Sequence, residues 1–276
     1  MPLALSELWD DLLACLDLRA HPADTPLTYE GRNQRLGYHR LFGGQLLAQF
    51  ARAAHLVCPD KTVKSLHALF ARAGHPEEAV RYEVERHHEG GSFATLTIVA
   101  RQSKGVVATA SVSLHAPEDG PAHQSVAAVP ALPGPEDRRD LHPLPWETRT
   151  TADLDSPGAE SPEFDLWMRT PTAMAELSPA LTAYATDLTL IGTALRPLPG
   201  LTQQDAGKAF TSAVTSHTVW FHRPYDAGDW LLLRQHSPVL AHGRCFGRGD
   251  VLTEDGSLVA SYAQEALLRF SAGVAG

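Results

Sequence analysis

Two stretches far apart in the chain are written alike. Residues 65–74 read S-L-H-A-L-F-A-R-A-G, and residues 216–225 read S-H-T-V-W-F-H-R-P-Y. Each is an apolar, alternating run closed by Phe-x-Arg and a chain-breaking residue. A shift of about 151 residues lays Phe70 on Phe221, Arg72 on Arg223 and the turn glycine Gly105 on Gly256. A period that long, present only twice, means a duplicated domain rather than a solenoid. The chain must therefore fold as two like units that meet somewhere.

Each copy gives the same order of elements. In the first, L-F-G-G-Q-L-L-A-Q-F-A-R-A-A-H carries apolar residues at helical spacing, with glycines at its entry. Extended stretches follow near 62–72, 79–88, 92–102 and 105–115, the last two separated by the hairpin signal S-K-G. In the second, P-A-L-T-A-Y-A-T-D-L-T-L-I-G-T-A-L reads as one helix. Strands are expected near 211–223, 229–236, 243–253 and 257–270, with T-E-D-G-S as a hairpin turn. One long helix followed by an antiparallel meander is an α+β arrangement, in which the sheet wraps the helix to give both a core. Between the copies Pro, Gly, Ala and acidic residues dominate and periodicity vanishes, which predicts a surface strap, draped or partly disordered. The expected organisation is a module at 1–115, a Pro-rich linker at 116–162 and a second module at 163–276.

Charge narrows the partners. A net charge of −9 over 276 residues argues against nucleic acid, which wants a basic surface. It leaves room for a local Arg pocket for a phosphorylated ligand. The N-terminal segment has acidic residues between its apolar ones, unlike a secretory signal, and no apolar run approaches the ~18 residues of a membrane span. Cys15, Cys58 and Cys245 are odd in number and widely spaced, as free thiols in a reducing compartment would be. A cytoplasmic location is expected.

With five stretches in view together, the sequence resembles the acyl-CoA thioesterase II (TesB-like) family. They are G-R-N-Q-R-L-G-Y-H-R-L-F-G-G-Q at 31–45, K-S-L-H-A-L-F-A-R-A-G at 64–74, Y-A-T-D-L at 184–188, W-F-H-R-P-Y at 220–225 and V-A-S-Y-A-Q-E at 259–265. The resemblance implies a double hot dog: two tandem modules forming one continuous sheet, with both helices on one face. It implies hydrolysis of fatty acyl-CoA to free acid and coenzyme A, with no metal and no cofactor, by a water held between a carboxylate, a hydroxyl and a side-chain amide.

The family's carboxylate falls on Asp187, inside an otherwise apolar helix, and its amide on Gln264. The hydroxyl position, six residues before Trp220, is Val214. Strand alternation puts 214 and 216 on one face, so Ser216 is one candidate replacement; a bulge could bring in Thr215 instead. Val214 also motivates an alternative, a non-catalytic or weakly catalytic acyl-CoA-binding protein. For the developing oxyanion, backbone N–H groups at a helix start are natural donors. Gly43 and Gly44 permit close approach there, and Gln45 is expected to help position the substrate.

Other patterns carry less. His87-His88-Glu89 lacks H-E-x-x-H spacing, and no Cys pair has zinc-finger spacing. Asp137 and His142 have the separation of a hot dog hydratase pair but lie in the strap. No G-x-S-x-G elbow is present. His217 reads as a packing residue rather than a base. Exposed sheet edges favour a homo-oligomer, a dimer or tetramer.

Overall fold

The computed structural model describes residues 4–21 and 27–271. The N-terminal half contains α1 (Leu5–Leu16), β1 (Arg19–Ala20), β2 (Thr28–Gly31), α2 (Gly43–Val57), β3 (Thr62–Phe70), β4 (Val80–Glu89), β5 (Phe93–Gln102) and β6 (Gly105–His115). Then come β7 (Glu147–Arg149), β8 (Glu163–Arg169), α3 (Ser178–Thr186), α4 (Leu190–Leu195), β9 (Phe210–Phe221), β10 (Leu231–Ala241), β11 (Arg244–Thr253) and β12 (Leu258–Phe270). All described strands belong to a single antiparallel sheet in the order β1-β2-β4-β5-β6-β3-β9-β12-β11-β10-β8-β7.

The repeated strands are the seam. β3 pairs with β9 through Ser65↔Trp220, Leu66↔Val219, His67↔Thr218, Ala68↔His217 and Leu69↔Ser216. His67 and Thr218 are also equivalent under the 151-residue shift, so a pseudo-two-fold axis passes through that pair. The repeated arginines do like work on either side. Arg72 donates to the Lys104 carbonyl in the β5–β6 turn. Arg223 Nη1 donates to the Leu258 carbonyl at the start of β12, 2.8 Å away. The turn glycines Gly105 and Gly256 have φ of 112° and 85°, a region side chains with a Cβ avoid.

Alternation sends Leu66, Ala68, His217 and Val219 to one face, where all four are buried, while Leu69 and Trp220 point out and stay exposed. The inner face carries the helices. α2 packs directly on α3, and one hydrophobic core runs across both halves from Leu47, Phe50 and Leu96 to Leu181, Tyr184 and Val251. Burial of this kind contributes about 1.5–3 kcal/mol per large side chain, so the main core stabilises the two halves together.

One feature departs from the sequence expectation, and the linker takes one of the two forms expected of it. The second helix is not continuous: α3 ends at Thr186, and α4 begins at Leu190. The break falls at Asp187, whose side chain is tied to the other module. The linker is draped rather than free. Arg234 donates to the carbonyls of Ala127 and Ala128 at 2.9 and 2.8 Å, and Val126, Val129 and Leu132 pack over Trp167, Leu232 and Leu252. The strap then brings Leu144 and Trp146 into the core, Trp146 edge-on to Trp9 and Tyr184, and supplies β7.

Candidate active site

Where α2 begins against the end of α3, the helices touch at backbone distance. A Cβ on Gly44 would stand 2.4 Å from the Tyr184 carbonyl oxygen, and one on Gly43 would stand 2.8 Å from Asp187 Oδ2. Only glycines let the chains approach this closely. The gain is a fixed carboxylate: the Gly44 N–H donates to Asp187 Oδ2 at 2.9 Å, across 143 residues of sequence. Gly44→Ala is therefore expected to cost about 1–3 kcal/mol of stability by overpacking and to lower turnover as well, measurable by thermal melting and steady-state kinetics.

Asp187 is 5% exposed, and its Oδ1 is buried with no partner. Burial pushes its pKa from 3.8 up to about 7; the Gly44 hydrogen bond and the charge of Arg40 pull the other way but are weaker. Arg40 is itself anchored on β9, donating to the Ser212 carbonyl at 2.8 Å. A carboxyl titrating there can serve as a base at neutral pH.

Gln264 comes up from β12 on the inner face, 2% exposed. One end of its carboxamide lies 2.9 Å from His217 Nδ1, and the other end is buried without a partner. His217 Nε2 lies 3.0 Å from Thr186 Oγ1, and Thr186 directly precedes Asp187. A single chain, Gln264–His217–Thr186, thus ties the amide to the turn that carries the carboxylate. Asp187 and Gln264 each keep one buried polar atom unspent. Buried polar atoms rarely go unpaired, and a water or a ligand is the usual explanation.

The hydroxyl candidates fall elsewhere. Glu265 pairs with Ser216 but Ala266 with Val214, so Thr215 is the extra residue of a β-bulge. The bulge breaks the alternation from 214 to 216. Val214 shares the Gln264 face through its partner Ala266, whereas Ser216 stands opposite Glu265 and Leu69 on the outer face. The expectation that 214 and 216 share a face fails for this reason. Thr215 is engaged on β12, donating to the Glu265 carbonyl at 3.0 Å.

The substrate-binding candidates are also placed plainly. Gly44 spends its N–H on Asp187, so the oxyanion donors left in that turn are its neighbours' amides. Gln45 is 1% exposed and turned into the N-terminal half, where Oε1 accepts the Gln34 N–H at 2.9 Å and Nε2 donates to Asn33 Oδ1 at 2.8 Å. It positions the 33–34 segment under the helix start. A groove of about 880 Å³ lined by Asp165, Trp220, Arg234, Asp250 and Ser261 lies by the strap and contains neither Asp187 nor Gln264.

Sequence reading set His217 aside as a packing residue and passed over Thr186 and Arg40. The available signal was register: with Phe221 facing Ala260, each step back along β9 matches a step forward along β12, and His217 meets Gln264.

Comparison with known proteins gives the family of the fold that carries this site. Residues 29–115 match the family model for the acyl-CoA thioesterase N-terminal domain, and residues 113–268 match that for the C-terminal domain. Acyl-CoA thioesterase 2 of Haemophilus influenzae is 33% identical over 273 residues, covering 89% of this chain and 93% of that protein. The crystal structure of acyl-CoA thioesterase II TesB2 from Mycobacterium marinum superposes with a TM-score of 0.78 at 31% identity, covering 95% of this chain and 99% of that one. A hot dog protein from Alicyclobacillus acidocaldarius shares the fold at 20% identity, with a TM-score of 0.72 and coverage of 94% and 98%. On the double hot dog architecture and matches spanning both halves, this chain belongs to the acyl-CoA thioesterase II family.

Proposed function

We propose that this chain hydrolyses acyl-CoA to a carboxylic acid and coenzyme A, with Asp187 as general base and Gln264 orienting the water. The observation that carries this reading is the buried, unpartnered Asp187 Oδ1, on a carboxylate fixed through its other oxygen and raised to a pKa of about 7. Water bonded to Asp187 and Gln264 gives its proton to Asp187 as its oxygen attacks the thioester carbon. The carbonyl oxygen takes the negative charge, facing the free N–H groups in the first turn of α2. The C–S bond then breaks, and the thiolate leaves with the proton held by Asp187. A thiol of pKa ~8.5 needs little help to leave, so one carboxyl suffices for both transfers. Val214, where relatives are expected to offer a hydroxyl, shares the Gln264 face of the sheet and has no hydroxyl to give.

Free-thiol release from a panel of acyl-CoAs tests the reading directly. Turnover should be saturable and should rise with pH through about 7, because only the ionised Asp187 accepts a proton. A rate independent of pH between 5.5 and 8.5 would remove Asp187 as the base. The same reading carries with it a cytoplasmic site of action and self-association into a dimer or tetramer. Exposed Leu69, Phe93 and Trp220 on the outer face support the latter, and light scattering of the purified protein measures it.

A further inference from the structure

Thr186 has one hydroxyl hydrogen, and its Oγ1 lies 3.1 Å from the Ala183 carbonyl, which can only accept. If that hydrogen goes to Ala183, Thr186 can only accept from His217 Nε2, 3.0 Å away. His217 is fully buried, and burial pushes its pKa down to about 4, so the neutral ring has a single N–H. With that hydrogen on Nε2, Nδ1 is a bare acceptor, so the Gln264 carboxamide, whose Oε1 stands 2.9 Å from it while its own Nε2 is unpartnered, must be turned over to present its N–H. The two ends of a carboxamide have the same shape, so hydrogen-bond logic sets which end faces which neighbour.

We propose that His217 is a positioning residue: as the Nε2–H tautomer held by Thr186, it accepts an N–H from Gln264 through Nδ1 and thereby turns the Gln264 carbonyl toward the hydrolytic water. Every member of the chain is then satisfied, and the end of Gln264 left free is an acceptor. An acceptor takes one water hydrogen while Asp187 takes the other, which points an oxygen lone pair at the thioester carbon. The opposite arrangement would take the Thr186 hydroxyl hydrogen away from the Ala183 carbonyl and aim an NH₂ group at the water, competing with the thioester for its lone pair. The imidazole has no freedom to drift. Tyr262 stacks on it at 6.1 Å with planes 15° apart, and Ala68 of the other module faces it across the seam. The inference rests on the hydrolytic reading above and adds to it a residue that touches neither water nor substrate.

Two measurements test it. Nitrogen NMR of the wild-type protein reports the tautomer without reference to activity: the Nε2–H form is expected, and an Nδ1–H form or an imidazolium overturns the proposal. Kinetics then ask whether His217 acts through Gln264. His217→Leu should lower kcat about 10- to 100-fold, the range seen when an orienting partner is lost, with KM changed less than about threefold. His217→Asn, which keeps an acceptor near the Nδ1 position, should recover most of that loss. In a Gln264→Ala background His217→Leu should cost less than about twofold; an equal loss in both backgrounds overturns the proposal, as does full activity of Gln264→Ala. Wild-type hydrolysis and its loss in Asp187→Asn test the underlying reading separately, so the two failures are distinguishable.

Discussion

Asp187→Asn is expected to cut kcat for acyl-CoA by about 10²–10⁴-fold and at the same time to make the protein more stable. The two effects have one cause. Asparagine can still accept the Gly44 N–H, but it cannot take a proton from water and does not need to be ionised in a buried site. Raising the folded-state pKa from 3.8 to about 7 means the folded protein binds a proton that the unfolded chain releases. The stability tied to that proton is fully present below pH 3.8 and is lost as pH rises through about 7. At 1.36 kcal/mol per unit the loss reaches about 4 kcal/mol above pH 7.5. The stability difference between variant and wild type should therefore grow with pH across the window from 4 to 7 and level off above it. Denaturant melts at pH 5, 6, 7 and 8 measure this; a pH-independent difference would show that Asp187 is not held against its charge.

Separating the halves should be the other large effect. Residues 163–276 carry Asp187, Gln264, His217 and Thr186, yet alone they are expected to be inactive and to lack a cooperative melt. Asp187 would lose the Gly44 N–H, α3 would lose its packing on α2, and β9 would become an open edge where five residue pairs now sit. Co-expression with residues 1–162 should restore turnover, because the seam and the helix contact can form between chains. A C-terminal half that hydrolyses acyl-CoA unaided would refute a site shared between modules.

What the sequence made legible follows from which forces are local. Period-2 alternation located β3 to β6 and β9 to β12, with the end of β10 placed five residues short, and the Phe-x-Arg repeat marked the strands that form the seam. The break at Asp187 was hidden because apolar spacing continues through Leu188, Ile191 and Leu195, while its partner, Gly44, lies 143 residues away. The bulge at Thr215 was equally hidden. It is a property of pairing between β9 and β12, and an ungapped count along one strand cannot reveal it. β7 and β8 were not foreseen: β7 is three residues inside a proline-rich tract, held as an edge strand by β8. Asp187 and Gln264 were put forward through their motif contexts. His217 was set aside because one histidine on an apolar face usually packs, and only cross-strand register shows what it faces.

A crystal structure with a non-hydrolysable thioether analogue of an acyl-CoA tests most directly whether one water serves both side chains. Hydrolysis as described requires a single ordered water within about 3.2 Å of both Asp187 Oδ1 and the Gln264 carboxamide, placed in line with the carbon that replaces the thioester centre. An analogue seated with that carbon away from α2's first turn, or Asp187 and Gln264 each bonded to different solvent, would contradict it.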